Sequence, residues 1–143
     1  MGVWGVGSFE NDQAYNWLND FLAHPSREPL QEVFDYVLNQ RDFLDSPESL
    51  AALAAAELVA AQLGRPSHDF PPDLDVAQTL AFPVDPELTE TATRAVGHIL
   101  YSPGYSELRE LWQEAGNNEY NSWENAVYNL IERLRQRAYA LEK

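Results

Sequence analysis

The chain has 143 residues, a formal net charge of −14 and no cysteine. A chain of that length buries about two thirds of its unfolded surface around one core, and 45% hydrophobic with 12% aromatic residues separates it from a disordered acidic tail. The missing cysteines exclude a disulfide framework, thiolate catalysis and sulfur-ligated zinc, so the cytoplasm is the expected compartment.

The acid is unevenly spread: residues 1–93 hold sixteen acids against three bases, and residues 94–143 hold seven against six. Such a field repels phosphate backbones and anionic membranes and speeds association with a basic protein. Nucleic acid is therefore disfavoured as a partner. The plainer reading is that the charge keeps the domain soluble.

The opening MGVWGVGSFENDQ lacks the basic start and apolar stretch of a signal peptide, and Val6 stands where the myristoylation pattern wants Ser or Thr. No run approaches the ~20 apolar residues of a membrane span, so no membrane association is expected. Next come Ala14, Trp17, Leu18, Phe21 and Leu22, at helical spacing on one face of a helix beginning near Asn11 or Asp12. Leu30, Val33, Phe34, Val37 and Leu38 repeat those steps in a second helix. The third is predicted to start at Ser46-Pro47, a cap followed by proline in the first turn, and to stop at Gly64. Asp85-Pro86 and Ser102-Pro103 have the same form and predict two more starts. The first opens a segment with Leu88, Ala92, Ala95, Val96, Ile99 and Leu100; the second opens one with Leu108, Leu111, Trp112 and Ala115, closed by Gly116. The last helix carries Trp123, Ala126, Val127, Leu130, Ile131, Leu134, Ala138 and Leu141 as one apolar stripe. Its cations Arg133, Arg135, Arg137 and Lys143 read as partners of the negative end of the helix dipole.

Between the third and fourth helices, residues 65–85 hold prolines at 66, 71, 72 and 83 together with Phe70, Leu74, Val76, Leu80 and Phe82. This composition predicts an extended strap packed across the helices. No stretch alternates with period two, and the likeness of ENDQAYNW to ENAVYNL is too short for an internal repeat. The fold expected is thus all-α, a single-domain bundle of about six helices over residues 1–143.

Two features invite a functional reading. Glycines before a helix can cradle a phosphate on free backbone N–H groups. In Trp4-Gly5-Val6-Gly7-Ser8-Phe9-Glu10-Asn11-Asp12, however, there is no P-loop Lys, and Glu10 and Asp12 would repel the anion. The run reads instead as a plug in which Trp4 and Phe9 fill the core and Asn11 or Asp12 caps the helix. Glu57 is the one charged residue in the stretch 50–61 and projects between Leu53, Ala54 and Ala61, the face that should be buried. A carboxylate there must be hydrogen-bonded, protonated or open to a pocket. Trp indoles, the N-terminal backbone or an arginine would satisfy it structurally, whereas a pocket would make it the best catalytic candidate.

Other chemistries find no support. His24, His68 and His98 lack metal-ligand spacing, the pairs Asp73/Asp75 and Asp42/Asp45 lack a calcium-loop pattern, and Ser8 lies outside a GxSxG context. No cofactor and no metal are predicted.

WGVGSFENDQAYNWLNDF near the start, AAAELVAAQLGRP in the middle, and SELRELWQEA with SWENAVYNLIERL at the end resemble the bacterial domain-of-unknown-function family numbered 4259. Its members open on a Trp-Gly-x-Gly-x-Phe-x-Asn-Asp signature and share the alanine-rich segment containing Glu. The resemblance implies that Trp4, Gly5, Gly7, Phe9, Asn11, Asp12, Trp17 and Glu57 match the family pattern; it brings no reaction, substrate or cofactor. On the acid charge, the leading expectation is a protein-interaction domain, an immunity-like or regulatory partner of a basic protein. The alternative is a small-molecule binder or hydrolase with Asp12, Glu57 and Trp4 around one pocket. The residues leave open whether the chain is an enzyme and in what oligomeric state it works.

Overall fold

The computed structural model describes residues 5–102 and 104–141, with side chains through Arg135. Among the described residues there are seven helices and one parallel pair of two-residue strands. In chain order these are α1 (Asp12–Ala23), α2 (Arg27–Asn39), β1 (Phe43–Leu44), α3 (Ser46–Gln62), α4 (Val76–Thr79), α5 (Pro86–Tyr101), β2 (Tyr105–Ser106), α6 (Glu107–Ala115) and α7 (Asn117–Leu141). The fold is an all-α bundle, as the periodicity predicts, with the four-residue α4 added inside the proline-rich strap.

Helix α3 is the axis of the bundle. It packs against α1, α2, α5 and α7, and every residue from 51 to 60 is buried. A helix enclosed on all sides needs no amphipathic stripe. Its alanines at 51, 52, 54, 55, 56 and 60 let neighbouring backbones come close. The expectation that α3 buries one face is therefore corrected, because its whole circumference is core. Gly64 closes it at φ +87°, a left-handed conformation that suits glycine and costs a side-chain-bearing residue about 1–2 kcal/mol.

Around this axis, α1 buries Ala14, Leu18 and Phe21, while Leu22, expected inside, is 37% exposed at the edge of the stripe. Helix α2 buries Leu30, Val33, Phe34 and Val37, and α5 buries the predicted Leu88, Ala92, Ala95, Val96, Ile99 and Leu100. Trp123, Val127, Leu130, Ile131 and Leu134 form the core side of α7. In α6, Leu108 is buried and Trp112 half-buried, but Leu111 is 49% exposed.

Two predicted helix starts differ in detail. The N-cap of α3 is Asp45, one residue before Ser46, and its side chain makes no capping bond. Instead, Ser46 N donates at 2.7 Å to the Glu107 carboxylate of α6, so a distant side chain satisfies that helix end. Ser102 does not open a helix; it is the C-cap of α5, and α6 starts at Glu107 behind Ser106, whose Oγ accepts from Arg109 N. The intervening turn is bound by Arg109, which donates to the carbonyls of Ser102 at 2.7 Å and Gly104 at 2.8 Å. Pro103 lies outside the described residues. Gly104 packs on the Arg41 carbonyl, leaving no room for a Cβ, and this approach lets β1 and β2 pair in the register Phe43 to Tyr105 and Leu44 to Ser106.

The strap 65–85 lies over α3 as expected, with Leu80 buried and Phe70, Leu74, Val76 and Phe82 half-buried against the core. Among the described residues no helix is long and apolar enough to cross a membrane.

Candidate functional site

The Glu57 carboxylate is 2% exposed and is gripped by Arg133 from α7. Arg133 Nη1 donates to Oε1 at 2.8 Å and Nη2 to Oε2 at 3.0 Å, a two-pronged geometry that pairs both charges. Ser8 Oγ donates to Oε2 at 2.9 Å. The same guanidinium donates from Nη1 to the Arg65 carbonyl at 3.0 Å and from Nε to Asn129 at 2.7 Å. One buried pair thus joins the N-terminal loop, α3, the start of the strap and α7. An arginine, one of the partners expected for a buried Glu57, holds it, together with the Ser8 hydroxyl. Arg133 correspondingly leaves the dipole role expected for it, since α7 runs on to Leu141 and a dipole acts within the last turn. Arg135 is 64% exposed and stands 3.9 Å from Glu132. The side chains of Arg137 and Lys143 lie outside the described residues.

The N-terminal loop is shaped by carboxylates folding back on its backbone. Gly7 N donates to Glu10 Oε1 at 2.9 Å, and Phe9 N donates to Asp69 Oδ2 from the strap at 3.1 Å. Both carboxylates close over Gly7, where a Cβ would collide with Asp69 and Glu10 together; at Gly5 the nearest atoms in its way belong to the Glu10 carboxylate. Phe9 turns inward, its ring edge-on to Phe70 at 5.5 Å. Asn11 then caps α1, its Oδ1 accepting from Ala14 N at 2.7 Å while its Nδ2 donates to Ser8 O at 3.2 Å.

Above the ion pair lies an open cleft of about 510 Å³ between the loop, residues 66–69 and the face of α7 that carries Ser122, Asn125 and Asn129. Glu10, Glu57, Asp69 and Arg133 line it, with Ser8 and His68. Three carboxylates against one guanidinium give an acid excess, and Glu57 already holds the guanidinium. A second cavity, of about 300 Å³, opens on the far side of Pro66 and Ser67. Apart from Ser67 its lining side chains are apolar, among them Phe70, Pro71, Pro72, Leu74 and Val76, with main-chain polar groups exposed between them. Ser67 borders both, and its Oγ is buried with no hydrogen-bond partner.

The structure brings Gly7 and Glu57 to the cleft, with Phe9 and Asn11 bracing its loop from inside. Gly5 is half-buried in the same loop. Asp12 is exposed in the first turn of α1 and Trp17 stacks on Phe21 at 5.2 Å; neither lines the cleft. Trp4 lies outside the described residues. Sequence reading missed Glu10 and Asp69 as partners over Gly7, and it missed Arg133. Among the described residues no group of three or more Asp, Glu or His side chains is arranged to hold a metal ion.

Fold and cleft define an α-helical bundle built on a buried Glu–Arg pair, with an acid-rimmed opening beside it. The chain belongs to the family described as Domain of unknown function (DUF4259), whose model matches residues 2–126. No curated protein and no solved structure matches it.

Proposed function

We propose that this chain is a binding domain, immunity-like or regulatory in role, that takes a basic segment of a partner protein into the cleft beside Glu57 and Arg133. The observation that carries the reading is the convergence of Glu10 and Asp69 over Gly7, at the rim of a cleft whose guanidinium is already held by Glu57. Like charges side by side at a partly desolvated surface repel, and a Lys or Arg placed between them relieves that repulsion. The uneven acid charge of the chain adds long-range attraction for such a partner.

The test is a calorimetric titration of the full chain with an oligolysine peptide across a range of salt. The reading expects affinity to fall as salt rises and to weaken in Glu10→Gln and Asp69→Asn. Those variants keep a hydrogen-bond acceptor for Gly7 N and Phe9 N while removing charge. Affinity that ignores both salt and these substitutions contradicts it.

A second reading, a small-molecule binder or hydrolase around Glu57, is favoured by the cleft volume of about 510 Å³, by Ser8 on the carboxylate and by Ser67 and His68 in the same lining. Asp12, the other acid offered for that pocket, stands outside the cleft. Hydrolysis of a panel of activated esters, abolished by Ser8→Ala in a folded variant, would support this reading; inertness toward the panel would count against it.

A further inference from the structure

We propose that the cleft and the proline-walled cavity beside it form one two-part groove. It recognises a peptide segment in which a Lys or Arg stands next to a bulky apolar residue. This deepens the basic-partner reading and rests on it.

The two cavities have Pro66 and Ser67 in common along their linings. One side offers the carboxylates of Glu10 and Asp69; the other offers Phe70, Leu74 and Val76 among prolines. Successive side chains of an extended peptide project to opposite sides of its backbone. A segment laid over the Pro66-Ser67 ridge would therefore send a cationic residue into the first cavity and its neighbour into the second. The charge complementarity selects the cation. The proline walls are rigid and poor in donors, so they select for apolar surface.

Three blocked peptides of equal length decide the matter, differing only at two central positions in a Gly-Ser background: Lys-Phe, Lys-Ser and Ser-Phe. Each is titrated calorimetrically into the full chain. Burying the aromatic side chain should make Lys-Phe bind about tenfold or more tighter than Lys-Ser. Val76→Ser should remove that advantage while leaving Lys-Ser binding as it was. Should Val76→Ser fail to fold by circular dichroism, Pro72→Ser at an exposed position of the same wall serves instead. Equal affinity for Lys-Phe and Lys-Ser would overturn the two-part groove and leave the basic-partner reading standing. Absence of binding by all three would overturn both.

Discussion

Glu57 and Arg133, 76 positions apart in the chain, meet in a two-pronged ion pair at 2.8 and 3.0 Å that closes the inner end of the cleft. Their burial is unequal, 2% exposure for the Glu57 side chain and 13% for that of Arg133, so Glu57 depends on Arg133 more than the reverse.

Removing one partner leaves a buried charge without its counter-ion. Arg133→Met should destabilise the protein by about 3–5 kcal/mol in urea unfolding, and Glu57→Met/Arg133→Met should recover most of that loss. That recovery measures the cost of the unpaired carboxylate, and adding Glu57→Met alone closes the cycle that measures the pair. A double variant no better than Arg133→Met alone would mean that the pair's other bonds, to Ser8, Arg65 and Asn129, carry the effect.

The glycines separate two kinds of cost. Gly104→Ala drives a Cβ into the Arg41 main-chain carbonyl, which cannot swing away, so a loss of about 1–3 kcal/mol is expected together with weakened β1–β2 pairing. For Gly7→Ala the nearest atoms are the carboxylate ends of Glu10 and Asp69, which can rotate. Its unfolding midpoint should move less than that of Gly104→Ala, while lysine-peptide affinity drops. Equal stability losses would contradict the distinction.

Asp85 caps α5, and its carboxyl is held below the usual carboxylate range, first by the hydrogen bond from Leu88 N and then by Arg27. A folded-state pKa below the unfolded one means that the stabilisation is present above the unfolded value, near 3.8, and is lost as pH falls through the folded one. The stability gap between wild type and Asp85→Ala should therefore be constant near neutrality and close below the ordinary carboxylate range. A gap that widens on acidification would reverse the sign.

Asn11 is buried and both caps α1 and holds the Ser8 carbonyl. Asn11→Ala should cost about 1–2 kcal/mol in thermal unfolding, and loosening Ser8 should expose the amides of the loop to faster hydrogen exchange. A loss of stability with the loop's exchange unchanged would separate the cap from the cleft.

What the sequence made legible follows from where the information resides. The apolar stripes of α1, α2, α5 and α7 are local patterns, and most of their described members lie in the core. Glu57 also stood out locally, as a lone charge among alanines and leucines. Its partner did not, since nothing local distinguishes Arg133 from Arg135 on the same helix. Ser102-Pro103 misled because a cap-like dipeptide is only permissive; the Arg109 side chain, reaching back to the Ser102 and Gly104 carbonyls, decides how that turn runs. The acid pair over Gly7 was illegible for a like reason, as Asp69 comes from a strap whose path is set by packing against α3.

The most direct test of the acid-rimmed cleft is a chemical-shift map of the full chain titrated with a lysine-bearing peptide. The account predicts saturable shifts concentrated on Gly7, Ser8, Ser67, His68, Asn125 and Asn129, suppressed by salt. Shifts centred elsewhere on the bundle, or none at saturating peptide, would contradict it.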